Sequence, residues 1–107
     1  MPHYMIEVGY TAAGWAALVK NPQNRIEAVR PAVEKAGGML EAGYYAFGKY
    51  DIVVIVELPD NASAAGLAIA FAAGGALRGV KTTPLLTPDE AVAAMKKAGG
   101  SGYTPAG

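Results

Sequence analysis

Three titratable residues on two predicted strands could carry acid–base chemistry. His3 and Glu7 lie in the first strand, and Glu57 lies at the end of the third. If these strands pair antiparallel, the start of one lies near the end of the other, so that His3 approaches Glu57 and Glu7 lies deeper, beside Val53. A carboxylate near an imidazole in an apolar cleft can act as a general base.

Glu7 is the candidate catalytic residue of this group, and His3 and Glu57 are candidate ligand-binding residues. An acidic residue in mid-strand, on a face that closes over a cavity, is costly unless it is paired. A structural interpretation stays open beside this one. In it, Glu7 pairs with a cation, and His3 and Glu57 lie in water at the rim of the sheet.

The segment Gly48-Lys49-Tyr50-Asp51 supplies a second group of candidates. In the functional interpretation, Tyr50 and Asp51 lie at the mouth of a cavity and bind a ligand. In the structural interpretation, the segment is a tight hairpin turn, in which Gly48 supplies a positive φ and Asp51 accepts hydrogen bonds from turn amides. Turns commonly use these residue types for backbone reasons, so both interpretations stay open.

Aromatic and basic side chains supply the remaining candidates. Tyr44 and Tyr45 lie on the second predicted strand and either line a pocket for a flat ligand or pack in the core. The hairpin length that sets their register is not determined by the sequence. Several cations could bind an anionic ligand, but no glycine-rich phosphate loop accompanies them, which favours solvated surface charge. These cations are Lys20, Arg25, Arg30, Arg78 and Lys81.

The composition excludes several classes of site. Cysteine is absent, which excludes disulfides, iron–sulfur clusters and thiolate zinc sites. The single histidine excludes a metal site built from histidines alone within one chain. Nine basic and nine acidic residues give a formal charge of zero, which argues against a nucleic-acid-binding face. We therefore expect no metal, no cofactor and no nucleic-acid partner.

The N-terminus shows no targeting signal, and no apolar stretch is long enough for a membrane segment. The first residues lack a basic region, and Glu7 interrupts their short apolar run. The most weakly polar stretch, residues 62–77, is mostly Ala and Gly. We expect a cytoplasmic protein with no membrane partner.

Hydrophobic periodicity predicts the strands that position these residues. The segment from His3 to Tyr10 alternates between apolar and mixed positions, which is typical of a strand with one buried face. The third strand, from Tyr50 to Leu58, contains five consecutive β-branched residues at positions 52–56. Both of its faces therefore favour burial. One layer of helices covers only one face, so something else must cover the other.

Short polar side chains predict where the helices begin. The second helix ends at Gly37-Gly38. The last helix runs to Lys97, and Glu90 closes a capping box at its start. A fourth strand spans residues 76–86, where Pro84 predicts an edge position. The predicted N-caps are Thr11, Asn21 with Pro22 as the first helical residue, Asp60 and Thr87.

The predicted order is strand, helix, strand, strand, helix, strand, followed by a terminal helix. This is the ferredoxin-like order of an α+β domain, with a four-stranded antiparallel sheet and helices on one side. The apolar third strand then predicts that the bare side meets a second copy, which forms a dimeric α+β barrel with a cavity between the sheets. We expect one domain over residues 1–98 and a flexible Gly, Ser and Pro-rich tail over residues 99–107.

Several segments together resemble the GYD domain family, over roughly residues 2–97. The resemblance implies a small bacterial or archaeal protein with a ferredoxin-like, dimeric-barrel fold. It implies no settled activity and no accepted catalytic residues. The segments are Phe47-Gly48-Lys49-Tyr50-Asp51 with the apolar run at 52–56 and Leu58-Pro59-Asp60, Tyr10-Thr11 with Gly14, Arg25, Gly37-Gly38 and Lys81-Thr82-Thr83.

Two functions are consistent with this sequence. The first is a homo-oligomeric barrel that binds a small organic molecule, or a cofactor-free enzyme of that architecture with Glu7 as the base. The second is a non-catalytic interaction, sensor or assembly module, in which the open sheet face is only a subunit interface. In the second function, the tail over residues 99–107 could bind a neighbouring subunit.

Overall fold

The computed structural model describes all 107 residues, which form four strands and four helices. The four strands form one antiparallel sheet in the order β2-β3-β1-β4, so the first and third strands are central, and the predicted ferredoxin-like α+β architecture is confirmed. The elements are β1 His3–Tyr10, α1 Ala12–Lys20, α2 Arg25–Lys35, β2 Met39–Tyr45, β3 Ile52–Glu57, α3 Asn61–Ala73, β4 Leu77–Leu85 and α4 Pro88–Gly99.

Alternation along the central strands gives the sheet two different faces. Every second residue of β1 and β3, such as Ile6, Val54 and Val56, is buried beneath α2 and α3, which add Val33 and Leu67 to the same core. We call this the helix-side face. The intervening residues, which are only half-buried, lie on the opposite side, which we call the open face. The open-face residues of the two central strands are His3, Met5, Glu7, Val53, Ile55 and Glu57.

Three of the four predicted helix caps are confirmed. The side chains of Thr11, Asp60 and Thr87 each accept a hydrogen bond from a backbone amide three residues later, and Glu90 completes the capping box. The predicted start at Asn21-Pro22 is wrong. Asn21 instead ends α1, where its amide donates to Ala17. The cap of α2 is Asn24, whose side-chain oxygen accepts from two backbone amides.

The β2–β3 connection is longer than the predicted tight turn. It spans residues 46–51, and Gly48 does not adopt a positive φ. The Ala46 amide donates to the Asp51 carbonyl at 2.7 Å, and the Asp51 amide donates to the Val8 carbonyl at 2.8 Å. The loop is therefore closed by backbone hydrogen bonds that include the neighbouring strand β1, which a glycine-based two-residue turn would not supply.

The C-terminal part of the chain lies at the edge of the fold. Strand β4 pairs only with β1, which confirms the edge position predicted from Pro84. Helix α4 buries none of its residues and leaves Val92 and Met95 exposed. None of the helices combines the length and the apolar character that a membrane crossing requires.

Candidate functional site

A cleft of about 580 Å³ lies between the helix-side face of the sheet and helices α1, α2 and α3. Its floor includes Val8, Ile52 and Val54, and its walls are mostly apolar. Only four polar side chains line the cleft, and they belong to Tyr10, Asn21, Gln23 and Arg25. A cavity of this size with a few polar groups in apolar walls has the character of a site for a small organic molecule.

Small residues leave the space that this cleft occupies. Ala17 of α1 and Ala70 of α3 face the cleft where larger side chains would fill it. Gly14 brings the start of α1 against the connection between α3 and β4, since a Cβ there would lie 2.7 Å from the Ala76 carbonyl oxygen. The same carbonyl accepts the Thr11 amide at 2.9 Å. The α1 wall is thus fixed in place while the interior stays open.

Tyr10 provides the aromatic wall of the cleft. Its ring packs against that of Trp15, with 5.2 Å between the ring centroids and 60° between the planes. Burial raises the pKa of the Tyr10 phenol, Tyr45 acts in the same direction, and the nearby Arg25 guanidinium partly opposes the rise. The phenol therefore stays protonated at neutral pH and can donate a hydrogen bond into the cleft.

Arg25 is the first residue of α2 and the only charged residue that lines the cleft. Its backbone amide donates to the Tyr45 hydroxyl at 3.0 Å, which ties the helix to strand β2. Its guanidinium donates to the Gln23 side-chain oxygen at 2.9 Å. The sequence interpretation of Arg25 as a solvated surface charge is therefore incomplete, because the charge borders an apolar cavity.

Asp51 is buried, with 8% of its surface exposed, and its contacts are structural. Its carboxylate accepts the Tyr10 backbone amide at 2.8 Å and lies 3.5 Å from Nη2 of Arg78. Arg78 lies across Gly9, where a Cβ would be 2.5 Å from the guanidinium carbon. Asp51 therefore fixes the end of β1 that carries Tyr10, and it does not itself line the cleft.

The three candidate tyrosines lie in different places. Tyr44 is opposite Val53 on the open face and is largely exposed. Tyr45 is on the helix-side face, where its hydroxyl accepts the amide of Arg25. Tyr50 is half-buried in the loop before β3 and does not line the cleft. The register that the sequence left open is thus settled, and it separates Tyr44 from Tyr45.

His3 and Glu57 are directly opposite each other in the β1–β3 register, as predicted. Nε2 of His3 is 3.7 Å from Glu57, and Nδ1 is 2.5 Å from Glu41. Sequence reasoning missed Glu41. An irregularity between Leu40 and Ala42 inserts this residue into β2 and turns it toward His3, and such bulges leave no reliable trace in a sequence.

This cluster offers the donor atoms that a divalent cation would use. One imidazole nitrogen and two carboxylate oxygens from His3, Glu41 and Glu57 lie within 4.8 Å of one another. Such a mixed nitrogen and oxygen set suits zinc and related divalent ions. In the present arrangement the imidazole already contacts both carboxylates, so the three side chains form one polar contact network across three strands.

Glu7 lies on the open face, on the other side of the sheet from the cleft. It is opposite Val53 in β3, as predicted, and opposite Lys81 in β4. It is half-buried and makes no ion pair in the chain, since the ion pairs involve other residues. Glu7 and the cleft residues therefore belong to separate surfaces.

Comparison with solved structures shows the same fold at low sequence identity. The crystal structure of FFRP-DM1 matches with a TM-score of 0.55 and 15% identity, over 80% of this chain and 100% of that chain. MtbAldR matches with a TM-score of 0.57 and 14% identity, over 80% and 53% of the two chains. TTHA0845 from Thermus thermophilus matches with a TM-score of 0.52 and 15% identity, over 81% and 95%.

Sequence comparison identifies the family. No curated protein matches this sequence. The GYD domain model matches residues 4–95, which is most of the chain. The chain therefore belongs to the GYD domain family, as its motifs indicated.

Proposed function

We propose that this GYD-domain protein binds a small organic molecule in the helix-side cleft and acts as a homo-oligomer. The observation that carries the proposal is the cleft itself. Its volume of about 580 Å³ is within the range of small-molecule sites, and its walls combine apolar side chains with a few polar ones. Tyr10 and Arg25 are the groups best placed to orient a ligand, as a neutral donor and a cation.

The homo-oligomer is supported by the open face. Met5, Val53 and Ile55 are adjacent apolar residues at the centre of the sheet, and no helix of the same chain buries them. A second copy placed sheet to sheet would remove these side chains from water. Helix α4 has no buried residue either, so it is a second surface that another copy could cover.

A substitution that fills the cleft tests the binding proposal. Ala70→Phe places a large side chain in the cleft, and we expect it to weaken binding of the neutral fluorescent probe N-phenyl-1-naphthylamine by roughly tenfold or more. The matched control is Ala65→Phe on the same helix, since both alanines are exposed and only Ala70 lines the cleft. Equal probe binding by both variants and the unmodified protein, or no binding by any, would count against the proposal.

A second proposal concerns chemistry at the open face. Glu7 lies mid-strand without an ion pair, which supports a role as a general base once a second copy encloses the face. In that case Glu7→Gln abolishes turnover and leaves probe binding in the cleft intact. If Glu7 instead pairs with Lys81 across the subunit interface, the face is only a contact surface, and Glu7→Gln changes the stability of the oligomer alone.

A further inference from the structure

The charge distribution around the cleft indicates which kind of molecule would bind there. The lining contains a single charged residue, Arg25, and no carboxylate. The ion pairs of the chain join other residues, so the Arg25 guanidinium has only neutral partners. A cation at the edge of an apolar cavity with no anionic partner within the protein is a recognition element for an anion.

The position of Arg25 in its helix strengthens this argument. The partial positive charge of a helix is at its N-terminus, so a cation in the first turn is placed unfavourably. Glu27 is the acidic residue of the same turn, but its carboxylate is bound by Arg30 through two hydrogen bonds of 2.9 and 3.0 Å. No carboxylate of the chain therefore forms an ion pair with Arg25. The carboxylate of a bound ligand would neutralise this charge.

The apolar surface of the cleft indicates the chemistry of the uncharged part of the ligand. Leu18, Val29, Phe71 and Leu77 belong to different elements and enclose the space with carbon atoms. The partly buried, protonated Tyr10 phenol adds a neutral donor beside Arg25. A molecule that fits this pattern has an apolar body and one carboxylate at its end.

We propose that the cleft binds aliphatic or aromatic monocarboxylates, with Arg25 holding the carboxylate and the apolar walls holding the hydrocarbon part. This inference rests on the proposed function of the cleft as a ligand site. It adds the chemical class of the ligand and the residue that distinguishes it from a neutral molecule of the same shape.

A matched pair of probes tests the inference. Octanoate and octanamide share their hydrocarbon chain and differ in charge. Trp15 is the only tryptophan and packs on Tyr10 at the cleft wall, so its fluorescence reports binding of either probe, with calorimetry as the second measurement. We expect octanoate to bind about tenfold or more tightly than octanamide, because a hydrogen bond to a charged group is stronger than a neutral one.

Variants assign the preference to Arg25. Arg25→Gln should reduce the octanoate preference to about twofold or less, and Arg25→Lys should retain part of it, because a lysine keeps the charge without the planar pair of donors. The control is Lys20→Gln, which removes an exposed cation at the end of α1 that does not line the cleft. Circular dichroism melting curves show whether each variant is folded.

The outcomes separate the two proposals. If octanoate and octanamide bind equally, or if Arg25→Gln keeps the preference, the carboxylate inference is overturned while the cleft remains a binding site. If neither probe binds and N-phenyl-1-naphthylamine does not bind either, the proposed function fails, and the inference fails with it.

Discussion

Asp51 connects three strands, two of them through its carboxylate. It accepts the backbone amide of Tyr10 at the end of β1, it lies beside Arg78 in β4, and it directly precedes β3. Arg78 also donates to the Lys49 carbonyl at 2.6 Å, which extends the contact into the loop. Asp51 thus determines the position of Tyr10, and through it one wall of the cleft.

Removal of this carboxylate should destabilise the protein. Asp51→Ala leaves the Tyr10 amide without its acceptor and the Arg78 guanidinium without its carboxylate, so we expect a loss of about 1–3 kcal/mol in the free energy of unfolding. Urea denaturation measures the loss. The control is Glu34→Ala, an exposed carboxylate on α2, where we expect a change within about 0.5 kcal/mol. Similar values for both variants would contradict this role.

Single residues show which contacts a sequence can predict. The pairing of His3 with Glu57 follows from antiparallel geometry, so it was predictable. The hydrogen bond from the Tyr10 amide to Asp51 was not predictable. Tyr10 lies 41 residues away, and a backbone amide is present at almost every residue, so the residue type does not identify it as the donor. The contact of Glu41 with His3 depends on an irregularity in β2. The position of Arg25 at the cleft depends on how α1 and α3 pack around it.

Helix α2 shows how the ends of an element are determined locally. Its last turn ends with the Gly37 amide donating to Glu34 and the Gly38 amide donating to Val33, which together form a Schellman motif. Gly37 has a φ of 89°, in the left-handed region. Gly38 lies so close to β3 that any Cβ would overlap the Glu57 carbonyl. The glycine pair therefore both stops the helix and lets β2 approach β3.

Two glycine substitutions should have opposite effects on stability. Gly37→Ala forces a side chain into the left-handed region, which costs about 1–2 kcal/mol. Gly66→Ala lies inside α3 with open space around its Cβ position, so we expect it to stabilise the protein by roughly 0.5–1 kcal/mol. Thermal and urea unfolding measure both changes. A destabilising Gly66→Ala would contradict the open space around this position in α3, and a neutral Gly37→Ala would contradict the left-handed end of α2.

The predictions of elements succeeded where the signal is local. Caps and glycine stops act within four residues, so Thr11, Asp60, Thr87 and Gly37 were identifiable in advance. The start of α2 was mistaken because Asn21 and Asn24 are chemically equivalent caps, and tertiary contacts such as that of Tyr45 with Arg25 favour the later one. The predicted length of the β2–β3 hairpin loop was wrong because Asp51 forms hydrogen bonds with Val8 and Tyr10 of β1.

The whole molecule is less compact than is usual for a chain of its length. Its radius of gyration is 17.0 Å, whereas a compact chain of this length has about 13 Å. Its extents are 57 × 35 × 21 Å, so the protein is long and flat. With 13 of 107 residues buried, one chain alone encloses little core.

A charge at the centre of the open face should prevent assembly. Ile55→Glu places a carboxylate where the sheets of two copies would meet, so native mass spectrometry should show an even-numbered oligomer for the unmodified protein and a monomer for the variant. The control is Ile69→Glu, which makes the same change at an exposed residue of α3. Circular dichroism shows whether both remain folded. A monomer for the unmodified protein, or an intact oligomer for Ile55→Glu, would contradict sheet-to-sheet association.

The architecture of the whole molecule was largely predictable, but the cleft was not. Strand order follows from the pattern of elements, and the doubly apolar β3 indicated an open face. The helix-side cleft depends on small side chains from α1 and α3 that leave space between the helices, and no periodicity in the sequence records such a space. The cavity predicted from sequence, between two sheets, stays a prediction that the Ile55→Glu experiment addresses.

The central position of β1 has a consequence for synthesis of the chain. Strand β1 leaves the ribosome before both of its partners, since it pairs with β3 on one side and with β4 on the other, and His3 is opposite Leu85. One edge of β1 therefore stays without hydrogen-bond partners until β4 has been made. Non-local pairing of this kind slows folding, and an unpaired strand edge attracts other chains. The nascent protein is thus most vulnerable to aggregation in the interval before β4 emerges.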